Sequence, residues 1–258
     1  MKNFFNKISI SPSFLILLFF SLISGLFKDV LTFTMILFFH ECGHIFFSLI
    51  FKWKIDKMQI GILGGSILYD EKIDLPFKQE FIICIAGVLF QIILLFIMFF
   101  LYKYNFITYK YFVMFKKYNY SIIFFNLLII YPLDGSKLFF TLLNMFFSYK
   151  KSLNIIFTIS ILNIIIIVIL FKMYNFSLEY SYIMMIFYLL YNVFKFREEI
   201  PYLFNKFLFE RYFYPINIKK YNLIDNLDYS KMKRQKKNYF KIKNHYYPEN
   251  KILSKRFD

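Results

Sequence analysis

Alanine is almost missing from this chain: Ala86 is the only one in 258 residues. No A-x-A cleavage site is therefore available to make the first apolar stretch a signal peptide. Cysteine occurs twice, and both Cys42 and Cys84 lie inside apolar runs. That excludes a disulfide-stapled secreted domain and says nothing of redox compartment. Acidic residues are scarce, 16 against 32 basic ones, for a formal net charge of +16. Charged residues make up 19%, while apolar residues reach 59%, aromatic residues reach 24% and mean hydropathy is +0.52. A disordered chain and an ordinary cytosolic enzyme are both excluded by that balance. What remains is a membrane protein with basic ends.

Six apolar runs stand out, at residues 13–27, 30–51, 81–101, 121–147, 153–171 and 178–194. A spanning helix needs about 20 apolar residues. The third, fifth and sixth runs are long enough and nearly free of charge, the second and fourth carry ionisable groups near their middles, and the first is short. These runs predict an all-α polytopic membrane protein of about six transmembrane helices. With six spans, 25 basic residues fall on one side and 6 on the other, Lys137 lying within a run. The positive-inside rule then puts both termini in the cytoplasm. Composition divides the chain into a transmembrane core, 1–194, and a basic cytoplasmic tail, 195–258. Within the tail, 196–214 mixes Phe, Leu and Tyr with Arg197, Lys206 and Arg211, which predicts an interfacial helix kinked near Pro201. The rest reads as a solvated tail drawn to anionic lipid. Nucleic acid is not an expected partner, since no fold signature for it is present. Between the second and third runs, Gly64-Gly65 suits a tight two-residue hairpin turn, and Ile60, Ile62, Ile67 and Tyr69 make its flanks too apolar for a wet loop.

The second run contains His40-Glu41-Cys42-Gly43-His44. Ionisable groups in hydrocarbon are costly, so three within five residues need a common partner. Residues i and i+4 share one helix face, so His40 and His44 can ligate one metal. Glu41 projects about 100° around the helix from His40. It can reach a water at the metal without being a ligand. Cys42 faces elsewhere and reads as a small packing residue. This is the H-E-x-x-H arrangement of zinc peptidases, and composition would produce it by chance in about one such chain per thousand. A hydrolytic zinc site needs a third protein ligand. Asp134, in the fourth run, is the one carboxylate besides Glu41 that lies away from the ends of the spans. Pro132 and Gly135 flank it and loosen the helical ladder, which membrane depth tolerates only beside a cavity or buried surface.

These residues resemble the site-2 protease family of zinc intramembrane metalloproteases. His40 to His44 looks like its H-E-x-G-H helix, and Asn126 to Gly135 looks like its N-x-x-P-x-x-P-L-D-G motif. Ile62-Leu63-Gly64-Gly65, Ile85-Ala86-Gly87 and Phe209-Glu210-Arg211-Tyr212 make the likeness strongest to the sporulation branch of that family. Ile129 stands where the family has proline, Val88 replaces the proline of an A-G-P turn, and Ser136 replaces a second glycine. None of the three is a ligand. The resemblance implies Zn2+ held by His40, His44 and Asp134, with Glu41 as general base that returns the proton to the leaving amine. It also implies that Asn126 holds the substrate backbone or oxyanion, an interhelical hydrogen bond being the other reading. The implied hairpin dips into the membrane and offers a strand edge to substrate, against an ordinary surface hairpin. The implied partners are the lipid bilayer, a membrane-associated protein substrate such as a pro-sigma factor, and inhibitory membrane proteins. A second class of function stays open: an ion-coupled transporter using Glu41, Asp134 and Lys137 as intramembrane charges.

Overall fold

The computed structural model describes residues 8–10, 12–61, 64–69, 74–173, 180–215, 220–243 and 245–257. The chain forms two compact units, Met1–Glu71 with Phe81–Asn126, and Lys72–Glu80 with Leu127–Asp258. The compositional boundary at Lys195 falls inside the second unit and inside a helix.

The first unit opens with β1 (Ile8–Ile10) and the short helix α1 (Pro12–Ile23), followed by α2 (Phe27–Ile50). Strands β2 (Ile55–Gly61) and β3 (Gly64–Tyr69) come next, then most of α3 (Phe77–Lys103) and α4 (Tyr109–Leu127) up to Asn126. Ile36 of α2, Leu94 and Met98 of α3, and Phe115 and Ile122 of α4 form the buried core between the helices. Polar ties fix their rotation: the Tyr118 hydroxyl donates to Asp29 at 2.7 Å, Thr32 and Tyr111 hydroxyls lie 3.2 Å apart, and Asn119 Nδ2 donates to the Gln91 carbonyl at 3.3 Å. The hairpin is present, but its glycines are not the turn. Gly64 pairs with Gly61 and Gly65 with Ile60, so both are ladder residues, and the link, 62–63, lies outside the described residues. Strand β1, which no sequence pattern announced, adds in parallel to β2, giving the order β1-β2-β3 with β3 beside α2.

In the second unit the fourth apolar run is not one helix. Helix α4 stops at Leu127, residues 128–133 are irregular, and α5 (Asp134–Phe146) begins at the aspartate. Helix α6 (Tyr149–Met173) follows, then α7 (Tyr180–Phe213), with Pro201 inside it. The segment 196–213, expected as a separate interfacial helix, continues the sixth run within α7. Its stripe Phe196, Ile200, Phe204, Phe207 and Leu208 recurs at helical spacing and is buried in protein. Tyr149, Leu153 and Ile156 of α6 join that core. So do Ile224 of β4 (Tyr221–Ile224), Phe240 of β5 (Lys237–Ile242), and Ile252 and Leu253 of α8 (Glu249–Phe257). Strand β4 pairs in parallel with β5, and β5 antiparallel with β6 (His245–Pro248). Much of the stretch expected to be a solvated tail is therefore folded, because its scattered apolar residues share a core with α6 and α7.

Among the described residues, three of the six expected spans are single helices long and apolar enough to cross a membrane: α2, α3 and α6. No more than 33% of the most apolar stretch of each is buried in protein, so most of that surface faces outward. Helix α1 has 12 residues, about 18 Å of rise and short of a bilayer core. Residues 178–179 of the sixth run lie outside the described residues.

A buried ionic cluster closes the second unit. Arg211, 1% exposed, donates from Nη1 to Asp74 at 2.5 Å and from Nη2 to Glu249 at 2.6 and 2.8 Å and to the Lys236 carbonyl. Arg234 pairs with Glu80, and the Gln235 amide donates to Asp74 at 2.9 Å. The segment before α3 is thus fastened to the end of α7 and to residues 234–235, with Arg211 linking it to α8. Replacing Arg211 strands two buried carboxylates, a loss of about 3–5 kcal/mol. We expect Arg211→Met in detergent to expose 220–257 to trypsin under conditions where the wild type resists, read by mass spectrometry of the fragments. Resistance equal to wild type would show the cluster to be energetically idle.

Candidate metal centre

The H-E-x-x-H residues lie in the second half of α2, where Phe, Ile and Leu hold the helix in apolar surroundings. His40 is 1% exposed, His44 6% and Glu41 9%. A glycine at 43 lets α3 come close: a Cβ there would strike the Ala86 carbonyl. The close approach continues at Gly87, where an added Cβ would stand 2.5 Å from His40 Cε1 and 2.6 Å from His44 Nε2. The two imidazoles therefore rest on a backbone surface that only glycine leaves open.

Helix α3 also sets how the rings are used. His44 Nδ1 donates to the Ile83 carbonyl at 2.7 Å, and that oxygen can only accept. His40 Nδ1 lies 3.0 Å from Gln91 Oε1, again with the ring donating. Both hydrogens are thereby placed on Nδ1, and both Nε2 atoms are left as acceptors. Those two Nε2 atoms face each other at 3.0 Å. Two lone pairs at that separation repel unless a cation lies between them. The donor set thus fits a divalent metal on this unit's own evidence, and the Nδ1 contacts are the outer-shell bonds that orient metal-ligating histidines.

Asp134 sits in the second unit, 8% exposed, in the first turn of α5, where a carboxylate suits the helix dipole. Lys137 Nζ donates to its Oδ1 at 2.9 Å. The irregular stretch leading to it is paid for in hydrogen bonds from α6: Ser160 Oγ accepts from the Tyr131 amide at 3.1 Å, and Asn163 Nδ2 donates to the Ile129 carbonyl at 3.0 Å. Leu133 donates to the Ile130 carbonyl at 2.8 Å, and Ser136 Oγ to the Leu133 carbonyl at 2.6 Å. At Gly135 a Cβ would collide with the Leu127 carbonyl, so α5 can start only where a glycine clears the end of α4. Asn126 is half-buried in the last turn of α4 and makes no side-chain hydrogen bond among the described residues. Neither Cys42 nor Cys84 is in a disulfide.

No family model matches the chain. Stage IV sporulation protein FB of Bacillus subtilis (strain 168) is 32% identical over 146 residues, 57% of this chain and 51% of the relative. The chain thus spans about half the length of that relative. The solved site-2 protease from Methanocaldococcus jannaschii superposes with a TM-score of 0.54 at 21% identity, over 75% of this chain and 90% of the other. The chain has the site-2 protease fold. Sequence and fold together support the site-2 protease family, as the two motifs imply.

Within this site-2 protease fold, sequence reasoning missed Gln91, Ser160 and Asn163. Each is a polar residue inside an apolar run, a signal that was there to be read once ionisable groups were not the sole concern. We expect Gln91→Leu to weaken divalent-metal uptake by about 10–100-fold, the usual cost of losing such a partner. Gly87→Ala should weaken it further, by displacing both rings. Chelator competition on the purified protein checks both, and unchanged affinity in Gly87→Ala would remove the imidazole pair from consideration as a metal site.

Proposed function

We propose that the chain is an intramembrane zinc metalloendopeptidase, with zinc held by His40, His44 and Asp134. The observation that carries the proposal is the pair of Nε2 atoms facing each other at 3.0 Å with both Nδ1 atoms committed elsewhere. A divalent ion there would supply Lewis acidity to a water and to a substrate carbonyl. The remaining work belongs to side chains of the protein. Glu41, adjacent to His40 and buried, takes a proton from the attacking water and hands it to the departing amine nitrogen. Asn126, with no side-chain hydrogen bond among the described residues, is assigned the substrate backbone or the developing oxyanion. Strand β3, one of the two edge strands of its sheet, is assigned the extended substrate, which would add by main-chain hydrogen bonds.

The substrate class we infer is a membrane-associated regulatory precursor, such as a pro-sigma factor, cut near the cytoplasmic face with both termini of the protease on that side. Inhibitory membrane proteins would be its regulators. The basic bias of the flanks and the similarity to the sporulation protein support this reading. A second reading has one observation in its favour: the Lys137–Asp134 ion pair at 2.9 Å is what a charge relay in an ion-coupled transporter would use.

Reconstitution into vesicles with a candidate pro-sigma precursor separates the two. Glu41→Gln should lose at least about 100-fold in cleavage rate while keeping its metal. His40→Ala should lose both metal and cleavage. A fully active Glu41→Gln would end the assignment of the base, and ion-dependent flux without bound zinc would favour the transporter.

A further inference from the structure

We propose that the second unit carries a binding groove for a phosphate-bearing anion, walled by Lys150, Arg197 and Arg256. The groove holds about 580 Å³, within the range of pockets that take small organic ligands and well above what a bare ion fills. It lies between the first two turns of α6, the middle of α7, the turn at Tyr229 and the end of α8.

Its cations are pinned by neutral groups. Arg197 Nη1 donates to Asn154 Oδ1 at 2.9 Å, and its guanidinium lies 5.2 Å from the Phe157 ring centre. Arg256 donates to Asn205 Oδ1 at 3.3 Å and covers the Tyr229 ring at 4.8 Å. Lys150 Nζ stands 5.3 Å from the Phe204 ring centre. Among the described residues none of the three makes an ion pair with a carboxylate. Asp228 is the one carboxylate in the lining; its Oδ1 accepts from both the amide and the hydroxyl of Ser230, at 2.9 and 2.6 Å, and it also feels the charges of Lys231 and Lys150. Three cations against one carboxylate leave a surplus of positive charge even with Lys150 partly balanced by Asp228.

Guanidinium forks match phosphate oxygens in geometry and charge, and an amide–aromatic seat leaves the remaining forks pre-organised for them. Position adds a second reason. Lys150 and Asn154 occupy the first turns of α6, one of the helices apolar enough to cross a membrane, so the groove sits at the end of an apolar span. An anionic phospholipid headgroup reaches that depth, and so does a free phosphate compound from water.

Two probes distinguish those sources on the full chain in detergent. The first is native mass spectrometry with phosphatidylglycerol against phosphatidylcholine. The second is thermal stabilisation by inorganic pyrophosphate. The variant Arg197→Gln/Arg256→Gln is compared with Lys241→Gln/Lys243→Gln, which removes the same charge outside the groove. We expect the groove variant to lose about tenfold or more in binding of one probe, with the control variant unchanged. Loss of phosphatidylglycerol retention assigns a lipid headgroup, and loss of pyrophosphate stabilisation assigns a soluble phosphate compound. Equal losses in both variants would reduce the effect to net charge and overturn the site. Binding of neither probe by the wild type would overturn it as well.

Discussion

Two imidazole nitrogens held 3.0 Å apart, each unable to turn away, are the constraint around which the first unit is organised. Each ring is held from behind by a bond to α3, one to a main-chain carbonyl and one to a side-chain amide. Those bonds require the two helices to touch, and the contact requires Gly43 and Gly87. Helices in a bilayer gain little from burying apolar surface against each other, so close packing over small residues and interhelical hydrogen bonds must hold them. Here both devices meet at the same place. The bonds that fix the helix pair are the bonds that aim the ligands.

The second unit solves a different problem. A backbone that leaves helical geometry within an apolar run must find partners for its freed groups inside the protein. Between 128 and 133 the partners are a hydroxyl and an amide of α6 and the first turn of α5. The result is a carboxylate delivered at a helix start, where its charge is favoured, in place of one suspended mid-helix.

Much of this was legible in residues whose chemistry conflicts with their surroundings. His40, Glu41 and His44 declared themselves because three ionisable groups in hydrocarbon have few explanations, and Asp134 did so by being nearly alone. Pro132 and Gly135 signalled a break, although its position, 128–133, depends on where α6 offers hydrogen bonds, and hydropathy does not record that. Gln91 was overlooked because an uncharged amide hardly lowers the hydropathy of a long run. The hairpin was expected, but its register was not, since glycine is equally at ease in a turn and in a ladder. The largest departure concerns the residues after Lys195. Their basic composition suggested solvent, yet Phe204, Phe207, Ile224, Phe240 and Leu253 lie in one buried core. Average charge over a segment hides a few apolar residues placed at the right spacing.

The ionic cluster has a consequence for how the molecule is made. Asp74 and Arg211 are separated by 137 residues, and Glu249 comes later still. While the chain is being synthesised, the stretch ahead of α3 leaves the ribosome with its carboxylates uncompensated and stays hydrated. Its counter-charges, Arg211 and Arg234, arrive only with the end of α7 and the loop before β5. The fastening of that stretch therefore waits on residues 211–249, and a nascent chain halted before Arg211 would hold Asp74 without the guanidinium that binds it.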